Sequence, residues 1–127
     1  MTVSWTNATS GGGTYRIVTC KPGTTNTDTP ADATYYIPGS VYGTGNLVGS
    51  AYTVYNGYGN FVNVTGLSNT TTYCFSVWEY NVANNTYNNT YNYLTSPYNT
   101  GYQQTLTDEP TVSASALSFS SITSNSV

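Results

Sequence analysis

Phe61-Val62-Asn63-Val64-Thr65-Gly66-Leu67, followed by Thr71-Thr72-Tyr73-Cys74-Phe75-Ser76-Val77-Trp78-Glu79-Tyr80-Asn81, is the stretch that decides the fold. Residues alternate in character along both runs, and in an extended strand alternate side chains point to opposite faces. Tyr73, Phe75 and Val77 thus share one face and Cys74 the other. The same period of two recurs outward from this stretch, and no 3.6-residue period survives beyond a turn, so the chain reads as all-β. Candidate strands are 1–6, 15–21, 34–37, 52–55, 61–65, 72–80, 98–106 and 116–122. Turn signals separate them at Gly11-Gly12-Gly13, Pro22-Gly23, Pro38-Gly39 and Asn56-Gly57. Residues 84–93 read as a low-complexity loop of Asn, Thr and Tyr, and 107–115, with Asp108, Glu109 and Pro110, as a linker. Strands of this number and spacing predict a β-sandwich.

The ends of the chain add to this. Thr2-Val3-Ser4-Trp5-Thr6-Asn7 is a strand with nothing before it to pair with, and 116–122 is a strand followed by a Ser/Asn turn. Written tail before head, SALSFSSITSNSV and MTVSWTN make a β-hairpin. The expectation is one period of a repeating unit, cut through its first hairpin. Residues 1–106 would be a sandwich lacking one strand, 107–115 a linker, and 116–127 the missing strand with half of its turn.

Composition narrows the partners. In 127 residues there is room for one domain. Only 6% of them are charged, against roughly 25% in ordinary globular chains. Arg16 and Lys21 are the two basic residues and the net charge is −3, so nucleic acid and anionic membranes are not expected partners. No apolar run is long enough for a transmembrane helix, and no membrane insertion is expected. Solubility rests on Thr, Ser, Asn and Tyr and on any attached sugar, and the expected location is extracellular or at the cell surface.

With both runs in view, the chain resembles a fibronectin type III domain of the kind found as tandem repeats in large secreted bacterial proteins. Leu67 and Tyr73 match the family's tyrosine corner, Trp5 its core tryptophan on the second strand, and Tyr15-Arg16-Ile17 its third strand. The segments 40–59 and 93–96 match the tandem subgroup. The departure is a permutation, with the first strand at the C-terminus. The resemblance implies a sandwich whose acceptor core includes Val3, Trp5, Leu67 and Tyr73. It carries no activity with it, since the fold hosts unrelated roles.

No catalytic site is expected. There is no His to serve a nucleophile, and Asp28, Asp32, Glu79, Asp108 and Glu109 form no pair suited to hydrolysis. Asp28 and Asp32 lack the ligand spacing of a cation site. No cofactor is expected beyond covalent glycan. Five Asn-x-Thr triplets, at Asn7, Asn63, Asn69, Asn84 and Asn88, are candidate acceptors, although an Asn- and Thr-rich chain produces such triplets by chance. In the resembled fold the third and sixth strands are neighbours. Taking Tyr15 and Ile17 as core-facing, Cys20 and Cys74 would both point outward from one sheet, and a Cys20–Cys74 disulfide is expected over two separate thiols.

The functional expectation is a structural unit of an extracellular filament, joined head to tail to copies of itself. Its closing strand would place Leu117 and Phe119 in the next unit's core, with Ile122 turning inward through a bulge. A covalent tandem repeat and a non-covalent exchange of strands would share this geometry. The alternative is a module that binds polysaccharide or serves adhesion, using Trp78 and Tyr80 as stacking faces together with the loop 87–93.

Overall fold

The structure is a computed structural model that describes residues 1–84 and 89–107. Among these residues there is no helix; eight strands follow one another, β1 (Thr2–Ser4), β2 (Tyr15–Pro22), β3 (Leu47–Val48), β4 (Ala51–Gly57), β5 (Phe61–Asn63), β6 (Thr72–Asn84), β7 (Asn89–Tyr93) and β8 (Asn99–Gln104). They form an antiparallel six-stranded sheet in the order β3-β4-β2-β6, with β7 and β8 along successive stretches of β6, and a two-stranded sheet of β1 and β5. The two sheets face each other over one apolar cluster, an arrangement that fits a β-sandwich.

β6 organises the molecule. It is 13 residues long, and Tyr73 to Tyr80 pair with β2 along one edge, from Tyr15↔Tyr80 to Pro22↔Tyr73. Along the other edge β8 covers Thr72 to Val77, and β7 covers Tyr80 to Asn84. Tyr73, Phe75 and Val77 point between the sheets, where they meet Val18 and Cys20 of β2, Val54 of β4, Val62 of β5 and Val64 just beyond it. Val3, Trp5 and Leu67 pack around this cluster, so the four expected acceptor-core residues are brought together. The Tyr73 hydroxyl accepts the Ser68 N–H at 3.0 Å, tying the turn after β5 to the start of β6.

A second cluster lies on the opposite face of the large sheet, where Ile17, Tyr36, Val48, Trp78, Tyr80 and Tyr93 pack together. Part of its cover comes from the 24–46 segment, which runs across that face. Tyr36 lies within it, the buried Asn26 donates to Thr19 Oγ1 at 2.9 Å, and its carbonyl accepts from Ser76 Oγ at 2.8 Å. β2 is therefore covered on both faces, and Arg16 through Cys20 are all buried.

This corrects the phase expected for β2. Val18 and Cys20 face the inter-sheet core, while Ile17 joins Trp78 on the outer face. An apolar residue at both 17 and 18 leaves the face ambiguous, as in any strand buried on two sides. The expected strand at 34–37 is also absent: this segment is irregular and is held by Tyr36 and by Ile37 N–H donating to Asn46 Oδ1 at 2.8 Å. The expected loop at 84–93 is in large part strand, with β6 and β7 paired as far as Asn84↔Asn89. Tyr91 and Tyr93, two apart, lie in or against the outer cluster, and this packing carries a stretch whose polarity suggests a loop. Asn56-Gly57, expected as a turn, instead completes β4 opposite Ile17 and Arg16.

Candidate functional site

The site is the open seam between the edge strands of the two sheets. On one side lies β1. The Met1 amino group donates to the Val64 carbonyl at 2.7 Å and the Met1 carbonyl accepts from Val64 N–H at 2.8 Å, while Trp5 N–H donates to Asn60 O at 3.0 Å. In an antiparallel ladder such pairs alternate, so Met1, Val3 and Trp5 spend their backbone groups on β5. Thr2 and Ser4 direct theirs to the other edge, where no strand lies among the described residues. The same alternation turns Val3 and Trp5 toward the core and leaves Thr2 and Ser4 exposed.

On the other side lies β8. Its register sets Asn99 opposite Val77, Gly101 opposite Phe75 and Gln103 opposite Tyr73. The core-facing side of β8 thus presents two amides and a glycine, and all six of its residues are exposed. Phe75 and Val77 form the floor between the two edges. The middle of the seam has a volume of about 550 Å³. It continues past Met1 and Gln103 into a space of about 480 Å³ reaching Leu106. At the opposite end it passes Trp5, Val77 and Asn99 into one of about 650 Å³ beside the 6–12 loop. Residues 1–6 alone give it a length of about 20 Å at ~3.3 Å per residue.

Trp5 marks the passage from the middle of the seam to the end beside the 6–12 loop. It is half-buried, packs edge-on against Tyr55 at 5.0 Å between ring centroids, and its Nε1–H is buried without a hydrogen-bond partner among the described residues. The end beside it is fixed by an ion pair. Glu79 accepts from Arg16 Nη2 at 3.4 Å, from Gly13 N–H at 3.0 Å and from Ala8 N–H at 3.4 Å. Arg16 also donates to the Thr14 and Gly13 carbonyls. A Cβ at Gly13 would come within 2.5 Å of the Tyr80 backbone, so only glycine lets the loop close over this pair. Glu79 therefore works as a clamp on the 8–14 loop, next to the seam.

The remaining candidates lie elsewhere. Cys20 and Cys74 form no disulfide. Cys20 faces the inter-sheet core, whereas Cys74 lies on the opposite face with its sulfur 3.4 Å from Thr100 Oγ1. Two cysteines on opposite faces cannot bring their Cβ atoms to bridging distance. The expectation failed because it rested on the phase of β2. Burial, with a smaller contribution from nearby Cys74, pushes the Cys20 thiol up to about 12. Asp28 and Asp32 have separate partners. Asp28 accepts from Ser50 Oγ at 2.7 Å and from Lys21 Nζ at 2.9 Å, and these hold its carboxyl below the usual range, the Ser50 hydroxyl foremost. Asp32 accepts the Tyr93 N–H at 2.8 Å.

Trp78 and Tyr80 are not the exposed stacking faces expected of them. Trp78 is fully buried, stacked on Tyr98 at 3.9 Å, and Tyr80 donates to Asn56 Oδ1 at 2.5 Å from within the outer cluster. Of the acceptor triplets, Asn7 is half-buried with its amide oxygen enclosed, Asn63 is exposed on β5 and accepts from Thr2 Oγ1 at 2.6 Å, and Asn69 is exposed in a turn. Asn84 ends β6, and Asn88 lies outside the described residues. Leu117, Phe119 and Ile122 also lie outside them, as do Asp108 and Glu109.

Sequence reasoning missed Gly101. A glycine inside a strand marks a bulge or a place where another backbone or ligand comes close, and that signal was present in 98–106. Searches of protein-family models, curated proteins and solved structures find no match to this chain, so nothing among them identifies a fibronectin type III domain.

Proposed function

We propose that this chain is a structural unit of an extracellular filament, and that the seam receives the closing strand of the preceding copy. The observation that carries the reading is the pairing of an unused ladder edge at Thr2 and Ser4 with an exposed, non-apolar wall at β8 across an apolar floor. An edge of this kind recruits a strand. The tyrosine corner at Tyr73 and the place of Trp5 beside the core support a fibronectin type III-like sandwich, permuted so that its first strand is residues 116–122.

The polarity of the seam supports a linear array. The tail written before the head reads as a hairpin, so the donor runs antiparallel to β1, entering beside the 6–12 loop and leaving beside Met1. Leu106, from which the tail continues, lines the Met1 end. Each copy thus delivers its tail from one pole to the opposite pole of the next, a contact that does not close on itself. The linker 107–115 reaches about 30 Å at ~3.3 Å per residue. Folding back would use most of that reach merely to return along the seam.

Two experiments test the reading. Electron microscopy of the purified chain is expected to give filaments with a domain-sized repeat, and single separate domains would count against them. Phe119→Asp is expected to break joining; in a covalent array it destabilises the unit that follows and not its own. A full-strength filament from Phe119→Asp protein overturns the proposal.

A further inference from the structure

We propose that Gly101 fixes the register of the incoming strand, as the gap that receives Phe119 of the preceding copy. The inference rests on the strand-acceptor reading above and adds to it which donor residue meets which acceptor residue.

The gap is defined by β8. Gly101 lies opposite Phe75 in the ladder and shares its face. Among the described residues, a Cβ built there meets nothing within 4 Å. Gly101 is not among the glycines with positive φ, so its backbone conformation does not require glycine. What the glycine supplies is room, directly over an apolar floor. β1 and β8 run in opposite directions along the seam, Met1 lying with Gln103 at one end and Trp5 with Asn99 at the other. Val3, midway, is level with Gly101.

A donor antiparallel to β1 then has a determined fit. With Leu117, Phe119 and Ser121 inward, Leu117 lies between Trp5 and Val77, Phe119 enters the gap between Val3, Phe75 and Gly101, and Ser121 meets Gln103 near Met1. Apolar groups meet apolar groups, and the hydroxyl meets the amide. Slipping the donor two residues toward Met1 brings Ser115 against Trp5 and carries Phe119 to Gln103. Slipping it two residues the other way sets Ser121 over Phe75. A slip of one residue turns Ala116, Ser118 and Ser120 inward. Only the first register covers the floor with both large side chains.

The test is a two-site cycle in the full chain, read as joining by sedimentation equilibrium, with urea unfolding as a check on the fold. Gly101→Leu fills the gap and is expected to weaken joining roughly tenfold or more, as overpacking does, while the unfolding midpoint stays near that of the native chain. Combining it with Phe119→Ala is expected to restore part of the lost joining, so that the double variant joins better than Gly101→Leu alone. If Gly101→Leu leaves joining unchanged, or the two effects simply add, the register is overturned, whereas loss of joining in Phe119→Asp still upholds the strand-acceptor reading. If Phe119→Asp also joins normally, that reading fails as well. A native chain that stays monomeric is replaced by two copies in one polypeptide. The same pair of changes is then placed across their junction, and absence of coupling in the unfolding of the second copy overturns the register.

Discussion

Ser4→Pro separates the fold of this chain from its proposed joining, because the backbone groups of Ser4 serve no strand of its own sheet. Met1, Val3 and Trp5 make the bonds to β5, and Ser4 sits opposite Phe61 in the non-bonded phase of that ladder. A proline there deletes an outward N–H without touching a bond to β5, and its φ suits an edge strand. The side chain is exposed, so the stability of the isolated domain should change by no more than about 0.5 kcal/mol. The incoming strand would meet a missing donor and a ring where it needs to approach. An unpaired carbonyl at such a contact costs about 1–3 kcal/mol. Joining should weaken by roughly tenfold to a hundredfold. Val3→Pro is the control, since Val3 bonds to β5 and its loss should lower the urea midpoint. Sedimentation reports joining and urea unfolding reports the fold, on the same samples. If Ser4→Pro joins as well as the native chain, the outer edge of β1 is not where the strand docks. If it lowers the urea midpoint as far as Val3→Pro does, the direction assigned to the Ser4 backbone is wrong.

Two further results are expected. Glu79→Ala should cost roughly 3 kcal/mol in urea unfolding, because it strands the nearly buried Arg16 guanidinium and two loop N–H groups, whereas the double change Arg16→Met/Glu79→Met should cost less than Glu79→Ala alone; a larger loss in the double variant would show that the loop does not depend on the charge pair. Cys20 should resist alkylation at pH 8 in the native protein and react after denaturation, with no Cys20–Cys74 cross-linked peptide at any stage. Because its folded-state value is raised from 9.0 to about 12, the folded state holds the proton more tightly, and stability should fall as pH rises from about 9 toward 12. Tyr80, raised from 10.0 to about 12 by burial, adds to the decline from about 10. Cys20→Val should remove the earlier part of that decline, and an unchanged pH profile would refute the assignment.

Where one face of a strand is polar, the alternation in the sequence identifies the buried face, and this holds for β1 and β5; in the first half of β6 it separates the residues that face the inter-sheet core from Cys74, Ser76 and Trp78, which are buried on the other face. Val3 and Trp5, Val62 and Val64, and Tyr73, Phe75 and Val77 all meet in the inter-sheet core. It fails for β2, because the 24–46 segment covers the second face and makes Ile17 as buried as Val18. The disulfide failed with it, and so did the sugar platform, since a Trp78 directed away from the core is exposed only if nothing covers that face. Nothing in the run Asn26 to Ala33 resembles a strand or a helix, and the packing of the segment depends on contacts far away in sequence, such as the Asn26 carbonyl with Ser76 and the Tyr36 ring with Tyr93. A period-based reading sees local pattern, and this cover is long-range.

The seam was half legible for the same reason. Its β1 side follows from alternation alone, but its β8 side is defined by what is missing from the face. The other strands lining the inter-sheet core supply Val, Cys, Tyr, Phe or Trp side chains, whereas β8 turns Asn99, Gly101 and Gln103 toward it. A strand closing a finished core would bury apolar area there, at roughly 1.5–3 kcal/mol for a large side chain. β8 forgoes that gain at three successive inward positions. Such a strand is suited to flank another one: it needs to leave volume, while β1 supplies the ladder edge and Phe75 and Val77 the apolar floor. The division of tasks between the two edges explains why residues 98–106 look like an ordinary polar strand in sequence. The seam's shape depends on them nonetheless, and above all on the one position where a side chain would occupy the space left open.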